Sequence, residues 1–289
     1  MKKYVKRYLS LMLTLALVIS IPFAFTQEAS AASKKGKTKY VVKSEANVQK
    51  NENNTNVSTT EKYEYYKNGL LKSKTDSEGS KEVFKRNKKG YVIQKLRYDE
   101  KGQLSGWSEN TYKYNKKGLP IKMNVYDVSE GKKELSYSVA YTYYKKGALK
   151  KEVITYPEGG SETTVFNKKG NITDRIYSDK NYTSIKKHAL KYDKNGNLIN
   201  DTNNITWKDG TYTGSKIVTE SFNYIYGKNK TIKRSVNTVV VKYDTGETET
   251  EVSTTQFTYK KAKVPKKYAK VFNIPDTSTL SCLGLIDPY

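Results

Sequence analysis

The chain has 289 residues, with 53 Lys and Arg against 29 Asp and Glu, a formal net charge of +24, 26 tyrosines, one histidine and one cysteine. One histidine excludes metal sites and triads that need several, and one cysteine excludes an intramolecular disulfide. Aliphatic residues and phenylalanine are as scarce as in disordered chains of this charge, so tyrosine has to supply the area that a folded chain buries.

Lys2, Lys3, Lys6 and Arg7 form a positive head, Leu9 to Phe25 is an apolar run, and Ala29-Ser30-Ala31 is a small-residue cleavage site. Residues 1–31 therefore read as a signal peptide, with cleavage expected before Ala32. The run is near the lower length limit for a membrane span, which favours cleavage over a retained anchor. The mature chain is expected to be secreted, with no transmembrane segment, and the four basic residues and one glutamate it loses bring +24 to about +21. Its Lys-, Asn- and Tyr-rich composition without cysteine pairs suits a Gram-positive exported protein. Residues 32–60 are polar, with Asn51-Glu52-Asn53-Asn54-Thr55-Asn56 at their centre, and read as a disordered linker that would let the rest stand off a surface.

From 61 to 262 the pattern is period two. Tyr137, Val139, Tyr141 and Tyr143 alternate with Ser138, Ala140 and Thr142, and Ile121, Met123 and Val125 alternate with Lys122 and Asn124. Two sets of turns punctuate these strands. One is basic: Lys67-Asn68-Gly69, Lys88-Lys89-Gly90, Lys116-Lys117-Gly118, Lys145-Lys146-Gly147, Lys168-Lys169-Gly170, Lys194-Asn195-Gly196 and a degenerate Tyr226-Gly227-Lys228. The other, mostly acidic, falls between them: Asp76 to Gly79, Asp99 to Gly102, Ser129 to Gly131, Pro157 to Gly160, Asp179 to Asn181, Asp209-Gly210 and Asp244 to Gly246. Gly and Asn supply the positive φ that short hairpin loops require. Fourteen turns predict about fifteen strands. The expected fold is all-β, a long antiparallel meander of repeated β-hairpins forming an open curved sheet or short β-spiral, with tyrosine ladders along at least one face.

Within these repeats, Tyr98-Asp99-Glu100-Lys101-Gly102-Gln103-Leu104, Tyr114-Asn115-Lys116-Lys117-Gly118-Leu119 and Tyr192-Asp193-Lys194-Asn195-Gly196-Asn197-Leu198 share one pattern. It resembles the Tyr-Asp-x-x-Gly-x-Leu core of the YD repeats of the RHS family, and looser forms cover most of residues 61–262. The arginine that often follows the family's glycine is replaced by Gln103, Leu119, Ala148, Asn171 and Asn197. The resemblance implies β-hairpin repeats. Large RHS proteins wind such repeats into a shell around a toxin domain, a role that about fifteen strands are too few to fill.

In a meander, successive turns lie at opposite ends of the sheet, so the basic turns should share one edge. Lys88, Lys89, Lys116, Lys117, Lys145, Lys146, Lys168 and Lys169 would then form a row suited to a repeating polyanion. The other reading is that they are solvated turn residues that keep the sheet soluble. Tyrosine stripes could stack on sugars, but alternation reads more simply as the core of the sheet. His188, in Lys186-Lys187-His188, reads as structural or exposed, Cys282 as a small apolar residue, and Glu247, Glu249 and Glu251 as surface patterning. No catalytic residues, cofactor, metal or specific nucleic-acid site is expected. Residues 263–289 read as a C-terminal capping tail, with Val271-Phe272-Asn273-Ile274 and Leu280 to Ile286 able to dock on the last strand. The expected function is non-catalytic binding of an anionic envelope polymer or glycan. The alternative is a structural or assembly module whose sheet edges pair with copies of itself or with a protein partner.

Overall fold

The computed structural model describes residues 37–50, 56–193, 198–227 and 231–264. They form β1 (Lys37–Lys50), β2 (Asn56–Tyr65), β3 (Leu71–Thr75), β4 (Lys81–Arg86), β5 (Val92–Tyr98), β6 (Leu104–Tyr114), β7 (Pro120–Ser129) and β8 (Lys132–Tyr143). The second half contributes β9 (Leu149–Thr155), β10 (Ser161–Phe166), β11 (Ile172–Ser178), β12 (Tyr182–Tyr192), β13 (Leu198–Asp209), β14 (Tyr212–Tyr226), β15 (Ile232–Tyr243) and β16 (Thr248–Val264). Every consecutive pair is antiparallel, as the meander requires, but the sheet does not stay open: β1 pairs with β16 from Lys37↔Val264 to Gln49↔Ser253, closing a sixteen-stranded barrel. This corrects the expected open sheet or short spiral. It also corrects the linker, because Lys37–Lys50 and the start of β2 are strands of the wall. The expected signal peptide, Cys282 and the tail beyond Val264 lie outside the described residues.

One loop type recurs at both ends. At the basic end, Asn87 Oδ1 accepts the amides of Lys89 and Tyr91 at 2.9 and 3.1 Å, and Gly90, at φ 95°, donates to Asn87 O at 2.9 Å. At the acidic end, Asp99 Oδ1 accepts from Lys101 and Gln103 at 3.0 and 2.8 Å, with Gly102 at φ 75°. Both are three-residue loops in which a type I turn is followed by a left-handed glycine. Past the glycine the two ends differ in regularity: among the described acidic-end hairpins only that of β5 and β6 shifts register at the first pair after the loop, at Tyr98↔Leu104. All seven basic-end hairpins carry a register shift at the first pair after the loop, as at Tyr65↔Leu71, Arg86↔Val92 and Tyr114↔Pro120. Bulges bend a strand and increase its twist, so one per hairpin at the same end supplies the curvature that closes the sheet.

Buried tyrosines and one arginine support this bulged end. Tyr112 Oη donates to Val92 O at 2.6 Å, Tyr143 Oη to Pro120 O at 2.6 Å, and Tyr224 Oη to Leu198 O at 2.5 Å. Arg86 Nε plays the same part toward Leu71 O at 3.1 Å. Each acceptor stands two residues after a turn glycine, where the ladder is interrupted. Around them, Tyr63, Leu71, Phe84, Val92, Ile232 and Phe257 form one buried cluster, and Met123, Val125, Val139, Tyr141, Leu149, Ile154 and Phe166 a second. Leu70, Tyr91 and Leu119 pack beneath the loops themselves. The tyrosine ladders expected on a sheet face thus lie on the inner face, with Tyr112 and Tyr114 stacked at 5.9 Å and Phe222 and Tyr224 at 6.2 Å.

Candidate functional site

Three surfaces could carry function: the rim of basic turns, the inner wall and the outer wall. Topology places the basic turns together on one rim, which also receives the start of β1 and the end of β16. Lys88, Lys89, Lys116, Lys117, Lys145, Lys146, Lys168 and Lys169 are all exposed there. Their four loops join β4 to β11, so they line half of the ring, two strands or about 10 Å from one loop to the next. Closure bends the expected straight row into an arc. Two contacts order it: Lys117 Nζ donates to Lys145 O at 3.0 Å, and Lys89 Nζ stands 3.6 Å from the centroid of the Tyr114 ring. Tyr114 in turn accepts a hydrogen bond from Asn87 Nδ2 at 3.0 Å.

The inner wall changes character away from this rim. On β2 to β5, charges of alternating sign face inward in one row: Glu61 and Lys74 at 3.7 Å, Lys74 and Glu82 at 3.5 Å, Glu82 and Lys95 at 3.1 Å. Burial alone would raise the Glu82 carboxyl, but Lys95 and Lys74 hold it below the usual carboxylate range. On β12 and β13, His188 Nδ1 lies 2.8 Å from Asp201 Oδ2. Burial lowers the His188 pKa against the pull of that carboxylate, which favours the neutral imidazole. Further along are Asn203, Ser235 and Asn237, buried polar residues with side-chain atoms that have no hydrogen-bond partner. On β16, Glu249 and Glu251 face the inside rather than forming an outer surface pattern, and Glu251 accepts from Gln49 Nε2 on β1. Burial raises the Glu251 carboxyl. Sequence reading missed this interior, since a polar inward face leaves no hydrophobic alternation; only the isolated His188 drew notice.

The outer wall is mixed, with apolar side chains such as Leu135 on β8 and Ile217 and Ile225 on β14, and it is most polar on β13 and β16. On β13 it presents Asn200, Thr202, Asn204, Thr206 and Lys208, and on β16 Thr248, Thr250, Val252, Thr254, Gln256 and Thr258. A barrel that spans a bilayer needs an apolar outward band about 25 Å tall, which these strands do not provide. No group of three or more His, Cys, Asp or Glu with metal-site geometry occurs among the described residues.

Fold and surfaces together define a class: a closed sixteen-stranded antiparallel barrel with an aromatic inner belt at one end and a lysine-tipped rim. No protein family and no curated protein matches the chain. Among solved structures it is similar to a porin-like protein from Bacteroides uniformis, at 10% identity and TM-score 0.22, over 76% of this chain and 98% of that one. It is similar also to a porin-like protein from Bacteroides vulgatus, at 9% identity and TM-score 0.31, over 77% and 99% of the two chains. A third, the Photorhabdus luminescens Tc holotoxin pore, matches at 10% identity and TM-score 0.16, over 66% of this chain and 16% of that one. Likenesses this distant carry no functional argument.

Proposed function

We propose that the protein is an extracytoplasmic, water-facing barrel that binds an anionic polymer of the cell envelope, without catalysis, through its lysine rim. The observation that carries this reading is the arc of eight exposed lysines on four successive loops, all at the same end of the barrel. Lysine is a compact, mobile point charge, suited to a flexible polyanion that offers a negative group at each repeat. The field of such a rim concentrates polyanions whatever their chemistry, and salt screens it. The test is cosedimentation of the chain from residue 32 onward with purified cell walls, with and without teichoic acid, across a salt series. Binding that needs the polymer and fades with salt is the expected outcome.

The assembly reading keeps one distinct expectation, binding that is indifferent to salt. Closure weighs against its sheet-edge form, because every described strand is paired on both sides, including β1 and β16 with each other.

A further inference from the structure

The geometry points to an internal oxyanion site on the wall of β11 to β14, formed by Arg175, Lys186 and Lys216. Arg175 and Lys186 are direct cross-strand partners, and both face the barrel interior. Side chains so placed have Cβ atoms about 5 Å apart, and like charges there are destabilising unless something lies between them. Lys216 continues the row two strands on, across Ile205, which pairs with both lysines.

Carboxylates act on this group without closing ion pairs: Glu220 and Asp201 support the Lys186 ammonium, Glu249 that of Lys216, and Glu152 stands in the same row across Thr164 from Arg175. Asp201 is engaged by His188 at 2.8 Å. Burial raises the Glu220 carboxyl, with Lys186 and Arg175 opposing. Glu162, nearer the acidic rim, accepts a hydrogen bond from Tyr156 at 2.7 Å. Among the described residues no carboxylate oxygen lies within ion-pair distance of Lys186 or Arg175, and Arg175 Nε is buried with no hydrogen-bond partner. Desolvation pulls the Lys186 ammonium below the usual lysine range, with Glu220 opposing.

The β2 to β5 wall supplies the contrast. There the chain alternates Glu61, Lys74, Glu82 and Lys95 across neighbouring strands, so that each cation meets a carboxylate. On β11 to β14 the inward row of Arg175, Lys186 and Lys216 is cationic, and among the described residues no carboxylate closes an ion pair with it, so the place of a contacting counter-charge is open. A phosphate group, or another compact oxyanion carried by a small ligand, supplies that charge and an acceptor for the guanidinium. Asn203, with both polar atoms unpartnered, and His188 Nε2 flank the site. This site is separate from the lysine rim and does not depend on it.

The test is thermal unfolding in dilute buffer, with sodium phosphate added against sodium chloride at equal ionic strength. Four proteins are compared: wild type, R175Q, K186M and a variant with the eight rim lysines changed to glutamine. Phosphate at ten or more times its Kd should raise the midpoint of wild type and of the rim variant by about 2–4 °C beyond the chloride effect. R175Q and K186M should gain nothing. An equal shift in all four proteins, or none in wild type, overturns the site; loss confined to the rim variant assigns the effect to the rim. Should R175Q or K186M fail to fold, phosphorus NMR of inorganic phosphate replaces the melt: broadening by wild type that K216M abolishes supports the site, and broadening that K216M leaves unchanged overturns it.

Discussion

The two ends of the barrel share a loop type and differ in what lies beneath it. In that three-residue loop an Asn or Asp side chain caps the turn and a left-handed glycine ends it, as at Gly90 and Gly102, while two-residue loops such as Glu130-Gly131 occur at the acidic end. Under the basic loops the wall is bulged, aromatic and fully buried, with Phe84 and Met123 at 0% exposure. Toward the acidic loops the inward positions become exposed, as at Asp127, Glu134 and Glu249. Loop chemistry therefore sets where the chain reverses, while the residues just after each loop decide whether that end carries the core.

Stability measurements can break this contrast. The largest effect should come from truncating the belt: Phe84→Ala should cost about 3–5 kcal/mol, whereas Glu134→Ala, exposed at the other end, should stay within about 0.5 kcal/mol. Urea unfolding midpoints compare them directly, and equal losses would refute the division into a packed end and an open one. Next, Gly170→Ala and Gly102→Ala, at φ 87° and 75° with open space around each, should lose the same roughly 1–2 kcal/mol. A clear difference between them would mean that the two loops are not equivalent. Smaller again, Tyr112→Phe should cost about 1 kcal/mol, because the Val92 carbonyl loses the shorter of its two side-chain donors and keeps Asn110 Nδ2 at 3.2 Å.

The pH dependence sharpens the same comparison. Burial, with Asp201 adding to it, pushes the Tyr192 hydroxyl up to about 12. Since the unfolded tyrosine ionises near 10, this contribution is complete below pH 10 and is lost as pH rises toward 12. His188 has the opposite sign: its pKa is lowered in the folded state, so its contribution is present above about 6.5 and declines as pH falls below that value. Denaturation profiles of Tyr192→Phe and His188→Gln should flatten the alkaline and acid limbs respectively.

How much of this was legible in the sequence depends on which face a residue occupies. The hairpins, their turn residues and the shared rim of Lys88 to Lys169 follow from glycine spacing and tyrosine alternation, and the structure places them as expected. Closure was not legible, because it rests on β1, whose inward residues Glu45, Asn47 and Gln49 are all polar. A strand without an apolar face reads as a linker, and without it the meander has free edges and looks open. The bulges are hidden for a related reason: a one-residue register shift leaves no mark on composition. The inward charges of β11 to β14 were hidden too, since Arg175 and Lys186 become neighbours only once the register is known.

The proposed binding resides at the rim rather than in net charge. The most direct measurement compares wall retention of two variants with equal charge loss. One changes the eight rim lysines to glutamine; the other changes eight exposed outer-wall lysines, Lys62, Lys85, Lys113, Lys122, Lys151, Lys187, Lys208 and Lys242. The rim variant should lose retention and its salt dependence, while the wall variant keeps most of both. Equal loss in the two, or greater loss in the wall variant, would contradict the account.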